Sequence, residues 1–190
     1  MVHEQPITLV SAVSAELGEL PGHAMGIGPL HAAIGASLAL AGGRGPVVLV
    51  GSAGFYPGHG LEIGDVVACS SLGLSRGIAE VKLGYQPIEP EVLQGESTIL
   101  PKLIRARVLT VEAITSDPKL TQRRGQTWQV EHMESYAVAL VCARLGRPFL
   151  AVLGLSNQVG PQAHAQWLAH RVQAETAARQ AVSQLFSPTK

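Results

Sequence analysis

The segment VEHMESYAVALVCARLGRPFLAVLGLSNQVG, which runs from Val130 to Gly160, is the most informative about the architecture of this chain. Between Met133 and Leu145 its apolar residues recur at helical spacing, and Gly146 followed by Pro148 ends that helix. The next segment, Phe149–Leu155, is a continuous apolar run, which predicts a strand buried on both faces. A helix that leads into such a strand is a unit of α/β architecture.

Two polar spots flank this predicted unit. Met133-Glu134 enters the helix, and Ser156-Asn157-Gln158 sits just past the predicted strand. Open parallel sheets bind ligands beyond the carboxyl ends of their strands, so both spots are candidates for a site. A carboxylate at a helix start also stabilises the helix dipole, and that purely structural interpretation of Glu134 stays open.

The rest of the chain alternates strand-like and helix-like segments. The sequence predicts strands over Ile7–Val13, Val47–Val50 and Arg107–Ile114 and a turn into another strand over Leu61–Val67. It predicts helices over Leu30–Ala41 and Gln162–Phe186, a loop or short helix over Thr115–Gln126, and a long loop or flap over Ser70–Glu96. With no internal repeat or linker, we predict a single α/β domain, residues 1–190, with a central mixed, largely parallel twisted sheet flanked by helices.

Composition excludes several classes of function. Hydrophobic residues make up 46% of the chain, and Lys+Arg 14 balances Asp+Glu 14 without a basic run, which argues against nucleic acid as a partner. Cys69 and Cys142 lie in apolar segments and are expected to be core residues, so we predict no metal site. We find no signal peptide and no apolar stretch long enough to cross a bilayer, and therefore expect a cytoplasmic protein with no membrane partner.

Two further features are candidates for chemistry. Glu16 falls just beyond the first predicted strand, where an acid can serve a site or simply begin a helix. Gly26-Ile27-Gly28-Pro29 opens a predicted helix, and glycines there let backbone N–H groups such as that of Gly28 approach an anion or a sugar. The glycine spacing differs from the dinucleotide-binding fingerprint, so no such cofactor is predicted. Gly51–Gly54 is predicted to be a small-residue turn that leaves the second strand.

Three blocks together resemble the nucleoside phosphorylase and nucleosidase superfamily. They are GIGPLHAA (Gly26–Ala33), VGSAGFYPGHGLEIGDVV (Val50–Val67) and the Val130–Gly160 stretch quoted above. The resemblance implies a nucleoside phosphorylase-like fold, and it is closest to the hydrolases of the superfamily. Phosphorylases of this family usually have arginines near both glycine-rich segments, whereas Gly26–Pro29 and Gly51–Gly54 contain no cation. A phosphate without a nearby cation would be poorly held, so hydrolysis is the expected reaction.

The resemblance also implies roles for individual residues. Glu16 matches the acid that orients the attacking water, and Asn157 matches the residue that meets the N7 edge of the purine. Met133 and Glu134 match the pair that packs under the ribose and binds its hydroxyls. The segment beside the base and sugar corresponds to Ser52, Ala53 and Gly54.

The identity of the residue at position 157 suggests the class of base. Adenine-cleaving nucleosidases have an aspartate there, whereas the futalosine-cleaving branch resembles this chain in having Ser-Asn. A neutral amide can donate to O6 of a 6-oxopurine such as hypoxanthine. We therefore predict a purine nucleosidase acting on a 6-oxopurine nucleoside, with futalosine hydrolysis in menaquinone biosynthesis as the leading function. No cofactor is implied, and the family resemblance implies a homodimer or larger homo-oligomer.

Other functions stay open. The chain departs from the family pattern in the link between Glu16 and Gly26, which lacks room for two strands, and in having Leu153 in place of an arginine. Ser135-Tyr136 also replaces a commoner small pair. The alternatives are a methylthioadenosine/S-adenosylhomocysteine nucleosidase and a non-catalytic nucleoside-binding paralogue. Whether Glu16 reaches the pocket distinguishes the paralogue from an enzyme.

Overall fold

A computed structural model describes residues 6–186, so both limits of the predicted domain lie outside the described residues. Strands and helices alternate along most of this range, as the hydrophobic pattern predicts. The strands are β1 (Thr8–Ser11), β2 (His23–Ala24), β3 (Val47–Phe55), β4 (Val66–Leu74), β5 (Leu93–Gln94), β6 (Ile104–Thr110), β7 (Val130–His132) and β8 (Phe149–Gln158). The helices are α1 (Ser14–Leu17), α2 (Gly28–Leu40), α3 (Pro118–Gly125), α4 (Ser135–Arg144) and α5 (Ala163–Ser183).

The eight strands form one mixed sheet, which confirms the predicted fold class. β1 pairs in parallel with β2 and β3, β3 with β8, and β6 with both β4 and β7. Antiparallel pairing joins β3 to β7 and β4 to both β5 and β8. The pairings β3–β8–β4–β6–β7–β3 therefore close a circuit, which brings the ends of distant strands around one centre.

Strand β8 occupies the middle of this arrangement. Its residues from Phe149 to Asn157 are all buried, as the apolar run predicts for a strand covered on both faces. Helix α5 lies directly on it: a Cβ added to Gly154 would be 2.0 Å from the carbonyl oxygen of Ala174. Glycine is therefore required where the helix backbone approaches the strand.

Two strands extend further than the sequence pattern predicted. The predicted turn at Gly51–Gly54 is wrong, because β3 continues through it to Phe55 and pairs with β8 and β7. Ser156-Asn157-Gln158 does not follow β8 but forms its last three residues. In both cases hydrogen bonds to neighbouring strands overcome the weak strand preference of small and polar residues.

The predicted long loop at Ser70–Glu96 is only partly correct. β4 runs on to Leu74 because it pairs with β6, and β5 forms a short edge strand, which leaves the irregular part between them. The three-residue strand β7 is missing from the prediction, since so short a segment has no readable period. The predicted strands at Ile7–Val13 and Arg107–Ile114 are present but have shifted bounds.

The helices agree more closely with the sequence. Each predicted helix is present within a few residues of its expected ends, and the segment Thr115–Gln126 contains the short helix α3. The thiols of Cys69 and Cys142 are free and buried, as predicted for core residues. Within residues 6–186, none of the helices combines the length and apolar character that a membrane span requires.

Candidate active site

A cavity of about 450 Å³ opens where β1, β3, β7 and β8 end. This volume lies in the range of small-molecule sites. Carboxylates, small strand residues, two imidazoles and one indole ring share its wall. All predicted site residues except Gly28 line it, and so do several residues that the sequence did not reveal. The complete lining is Ala12, Val13, Glu16, Ile27, Ser52, Ala53, Gly54, Val111, Ile114, Glu131, His132, Met133, Glu134, Asn157, Ala163, His164, Trp167, Arg171 and Glu175.

Glu16 reaches this cavity from the short helix α1, immediately after β1. Its Oε2 accepts hydrogen bonds from the backbone N–H groups of Ala12 (3.0 Å) and Val13 (3.3 Å). Its Oε1 lies 3.4 Å from the N–H donor of Ser52 on β3. Burial raises the pKa of Glu16 above its ordinary value, although the nearby His132 acts in the opposite direction. A carboxylate with a raised pKa is a better base near neutral pH.

Gly51 explains how Glu16 comes so close to the sheet. A Cβ at Gly51 would lie 2.9 Å from Oε1 of Glu16 and 3.4 Å from Nε2 of His132. Both side chains therefore cross the face of β3 at the point where it has no side chain. The glycine in the GSAG block serves close approach rather than a turn.

Glu134 occupies the position just before α4, but its side chain is used elsewhere. Its Oε1 accepts a 2.8 Å hydrogen bond from the backbone N–H of Gly28, at the N-terminus of α2. The carboxylate thus lies where the dipole of a different helix favours a negative charge. Burial raises the pKa of Glu134 to about 7, against the opposing effect of backbone N–H donors from Gly28 and Met133. The backbone N–H of Gly28 is therefore engaged by a side chain of the protein itself, and direct substrate binding by Gly28 stays a prediction.

His132, at the end of β7, is a site residue that the sequence interpretation missed. Its Nε2 lies 3.3 Å from Oε2 of Glu134, and its Nδ1 faces the N–H groups of Glu134 and Ser135, each at 3.2 Å. Burial lowers the pKa of His132 to about 4, although Glu16 favours the charged form, so the ring is neutral at pH 7. The only sequence signal was a histidine directly before Met133-Glu134.

The other end of the cavity is formed by β3 and β8. Pairing between these strands shifts register so that Gly54 opposes Asn157 and Ser156 is an extra, bulged residue. Such bulges re-aim side chains. The amide of Asn157 lies over Gly54, where a Cβ would be 2.8 Å from Nδ2, while its Oδ1 accepts a 2.9 Å hydrogen bond from Ser156 Oγ. Ala53 and Ser52 continue the same wall.

One face of α5 closes the cavity from the side. Trp167 places its Nε1 3.4 Å from Ser52 Oγ, its ring stacks on His164 at 5.8 Å, and the Arg171 guanidinium lies 5.0 Å from the ring centre. The buried Glu175 follows one turn later. The sequence did not reveal Trp167 as a site residue, because helical spacing alone does not distinguish a core residue from one in a cavity wall.

Glu131 also borders the cavity, but other side chains already hold it. Its oxygens accept hydrogen bonds from the Tyr56 hydroxyl (2.6 Å), from the N–H of Thr115 (2.9 Å) and from the Thr115 hydroxyl. Arg124 lies 3.7 Å away and completes a buried, compensated group. This cluster anchors β7 behind the site. Among residues 6–186 there is no group of three or more His, Cys, Asp or Glu side chains placed to hold a metal ion.

This mixed α/β sheet, with a carboxylate-lined cavity where its strands end, has a nucleoside phosphorylase-like fold. The chain belongs to the phosphorylase superfamily, whose family model matches residues 1–187. It is also 32% identical to the futalosine hydrolase of Thermus thermophilus over 163 residues, which cover 75% of this chain and 71% of that protein. The resemblance predicted from the three sequence blocks is therefore confirmed.

Solved structures agree on the fold. A mutant of the Helicobacter pylori methylthioadenosine nucleosidase with 5′-methylthioadenosine in its active site superposes with a TM-score of 0.81, covering 96% of this chain and 98% of that one at 16% identity. Native futalosine hydrolase from the same organism also has a TM-score of 0.81, with 15% identity and coverage of 96% and 97%. At such identities these similarities establish the architecture, not the substrate.

Proposed function

We propose that this protein is a nucleosidase that hydrolyses the N-glycosidic bond of a 6-oxopurine nucleoside, with futalosine as the leading substrate. One observation carries the proposal: Glu16, Glu134 and Asn157, from distant parts of the chain, border the same cavity. The curated futalosine hydrolase at 32% identity supports it. A role in menaquinone biosynthesis follows if futalosine is the substrate, and a cytoplasmic location stays a prediction.

The proposed reaction uses the two carboxylates differently. Cleavage builds positive charge on the ribose ring and negative charge on the departing base. Glu134 accepts hydrogen bonds from the ribose hydroxyls, and Met133 packs beneath the sugar. A water held by Glu16 forms a bond to C1′ as the C1′–N bond breaks. Glu16 takes a proton from the water, the bond's electron pair leaves with the base, and the base then gains a proton from solvent.

Asn157 favours a 6-oxopurine over the runner-up substrate class. Its Oδ1 accepts a hydrogen bond from Ser156, and its NH₂ group makes one long donation, 3.5 Å, to the carbonyl oxygen of Gln158, so a second N–H remains to meet a base. An amide donor suits an oxygen acceptor on the purine. The substrate of a methylthioadenosine-type nucleosidase carries a 6-amino group instead, which offers N–H donors to the side chain at position 157.

The position of Glu16 favours an enzyme over a non-catalytic paralogue. Despite the short link between Glu16 and Gly26, α1 delivers the carboxylate into the cavity beside His132. Leu153, which replaces the family's arginine, is fully buried in the core. The pocket therefore keeps its acid even though the chain departs from the family pattern nearby.

Hydrolysis without phosphate dependence tests this function. Four carboxylates border the cavity, whereas Arg171 is the one lining Lys or Arg side chain among the described residues. That side chain lies against Trp167, so a phosphate ion would meet several acidic side chains and a single cation. We expect inosine and futalosine to be cleaved at the same rate with and without phosphate, with the free sugar as product.

The sugar product decides the outcome, and chromatography with an authentic ribose 1-phosphate standard identifies it. A sugar 1-phosphate as the main product would make the protein a phosphorylase. Absence of cleavage with inosine, futalosine, adenosine and methylthioadenosine, while a purine still binds, would favour the non-catalytic paralogue.

We also propose that the protein forms a homo-oligomer, as the family resemblance implied. An apolar stripe supports this: the exposed fractions are 60% for Ile27, 71% for Leu30, 53% for Ile34 and 78% for Leu38. Patches of this kind on a helix mark interaction sites. Ile27 also borders the cavity, which places the stripe next to the candidate site.

Light scattering measures the mass and so tests the stripe. The native chain is expected to show at least twice the mass of one chain, and Leu38→Glu is expected to lower it. Leu83→Glu changes a residue of similar exposure, 79%, elsewhere on the surface and is expected to leave the mass unchanged. A native protein with the mass of a single chain would contradict the proposal.

A further inference from the structure

We propose that His132 is a positioning residue, which donates its Nε2–H to Glu134 and so holds this carboxylate ready for the ribose hydroxyls. The catalytic part of this inference rests on the proposed nucleosidase function, whereas the orientation and the tautomer of the ring do not depend on it. It assigns a role to a side chain that neither the sequence motifs nor the proposed mechanism used. The imidazole lies in the cavity wall between two buried acids, Glu16 and Glu134.

The tautomer of His132 follows from the groups around Nδ1. Two backbone donors, the N–H groups of Glu134 and Ser135, point at this nitrogen from 3.2 Å. The hydroxyl of Ser135 also lies 2.8 Å from it. A nitrogen that faces two N–H donors must act as an acceptor, so the single proton of the neutral ring resides on Nε2. The first turn of α4 thereby selects the tautomer.

The protonated nitrogen faces the acidic side of the cavity. Nε2 lies 3.3 Å from Oε2 of Glu134, and Glu16 approaches the same gap above Gly51. Beyond Glu16, α5 contributes the Glu175 carboxylate. Two arginines of that helix, 171 and 179, act on Glu175 and favour its charged form.

In this arrangement Gly28 N–H donates to Oε1 of Glu134, and His132 Nε2, 3.3 Å from Oε2, is the ring nitrogen placed to donate to the second oxygen. A carboxylate oxygen can accept more than one hydrogen bond, so both keep capacity for the ribose hydroxyls. Donation to the charged form favours ionisation, and a neutral donor does this without placing a further buried charge in the site.

Two substitutions distinguish the contribution of Nδ1 of His132 from that of Nε2. In His132→Asn, the side-chain oxygen replaces Nδ1 as the acceptor from α4, but the donor toward Glu134 is lost. In His132→Gln, the longer amide can return an N–H to the position of Nε2. Both variants remove the imidazole, so a general effect of its loss would appear in each.

The pH profile of kcat/KM is the decisive measurement. Burial raises the pKa of Glu134 to about 7, so activity is expected to rise with pH through a limb near 7. His132→Asn is expected to move this limb upward by about one pH unit, which lowers kcat/KM about tenfold below the limb and leaves it nearly unchanged above. His132→Gln is expected to keep the limb within about 0.3 unit of the native one.

A merely structural role predicts a different result. Lost packing would lower kcat/KM by the same factor at every pH in both variants, and a limb that did not move in His132→Asn would overturn the proposal.

Nitrogen-15 NMR of the native protein tests the ring without substrate. We expect one imidazole, identified by its absence from the His132→Asn spectrum, with its proton on Nε2 and no titration above pH 5. A proton on Nδ1 would refute the arrangement even in an active enzyme, whereas inactivity with the expected tautomer would count against the function alone.

Discussion

Glu16→Gln is expected to lower kcat for nucleoside hydrolysis by about 100-fold or more while base binding stays nearly native. The amide oxygen of the glutamine can still accept the hydrogen bonds from Ala12 and Val13 that now hold Oε2 of Glu16. Its NH₂ group would replace Oε1 and cannot take a proton from water. The substitution therefore removes the base and the long 3.4 Å contact from Ser52 N–H, but keeps the two backbone hydrogen bonds from Ala12 and Val13.

Steady-state kinetics, together with hypoxanthine binding measured by calorimetry, test this expectation. Glu19→Gln is the matched control, because it removes an exposed carboxylate two residues beyond α1 and should leave kcat unchanged. If Glu16 only began a helix, its loss would cost about 1 kcal/mol of stability and little activity. Turnover near the native value in a folded Glu16→Gln protein would remove Glu16 from the mechanism.

Asn157→Asp is expected to shift substrate preference away from 6-oxopurine nucleosides. Oδ1 can keep its hydrogen bond from Ser156, but an oxygen replaces the NH₂ group that lies over Gly54. That oxygen would face O6 of the base as a second acceptor, whereas a 6-amino group could donate to it. The ratio of kcat/KM for inosine to that for adenosine should fall on the order of 10- to 1000-fold.

A substitution at the next residue, Gln158, controls for the negative charge that Asn157→Asp introduces. Gln158→Glu adds the same negative charge one residue later, at the exposed end of β8, and should leave the ratio unchanged. If Asn157 served only the fold, both substrates would lose activity equally and the melting temperature would fall. A folded Asn157→Asp protein with an unchanged ratio would contradict the assignment of the base contact.

Local sequence patterns predicted several parts of the molecule well. The apolar run at Phe149–Leu155 indicated a doubly buried strand, and β8 is buried along almost its whole length. The helical spacing before it corresponds to α4. These features depend on the nearest residues in the chain, whose periodicity reflects which faces are buried. Resemblance to the family's motifs predicted the family and implied roles for Glu16, Glu134 and Asn157.

Patterns failed where pairing between distant strands decides the local structure. Gly51–Gly54 forms part of β3 because β7 and β8 flank it, and the three residues of β7 are too few to show a period. His132 lies at the end of that unrecognised strand. Trp167 has the spacing of a core residue, yet the helix that carries it borders a cavity.

Local sequence patterns and motifs were enough to predict the class of fold, the family and the kinds of side chain available for chemistry. The contact of Gly28 N–H with Glu134, the place of His132 between this acid and Glu16, and the burial that raises the pKa values of both carboxylates became visible in the folded chain. The difference arises from the distance along the chain over which each feature is set. Helical and strand periodicity arise from neighbours a few residues apart, whereas a site depends on contacts between segments that meet only when the sheet closes and excludes water.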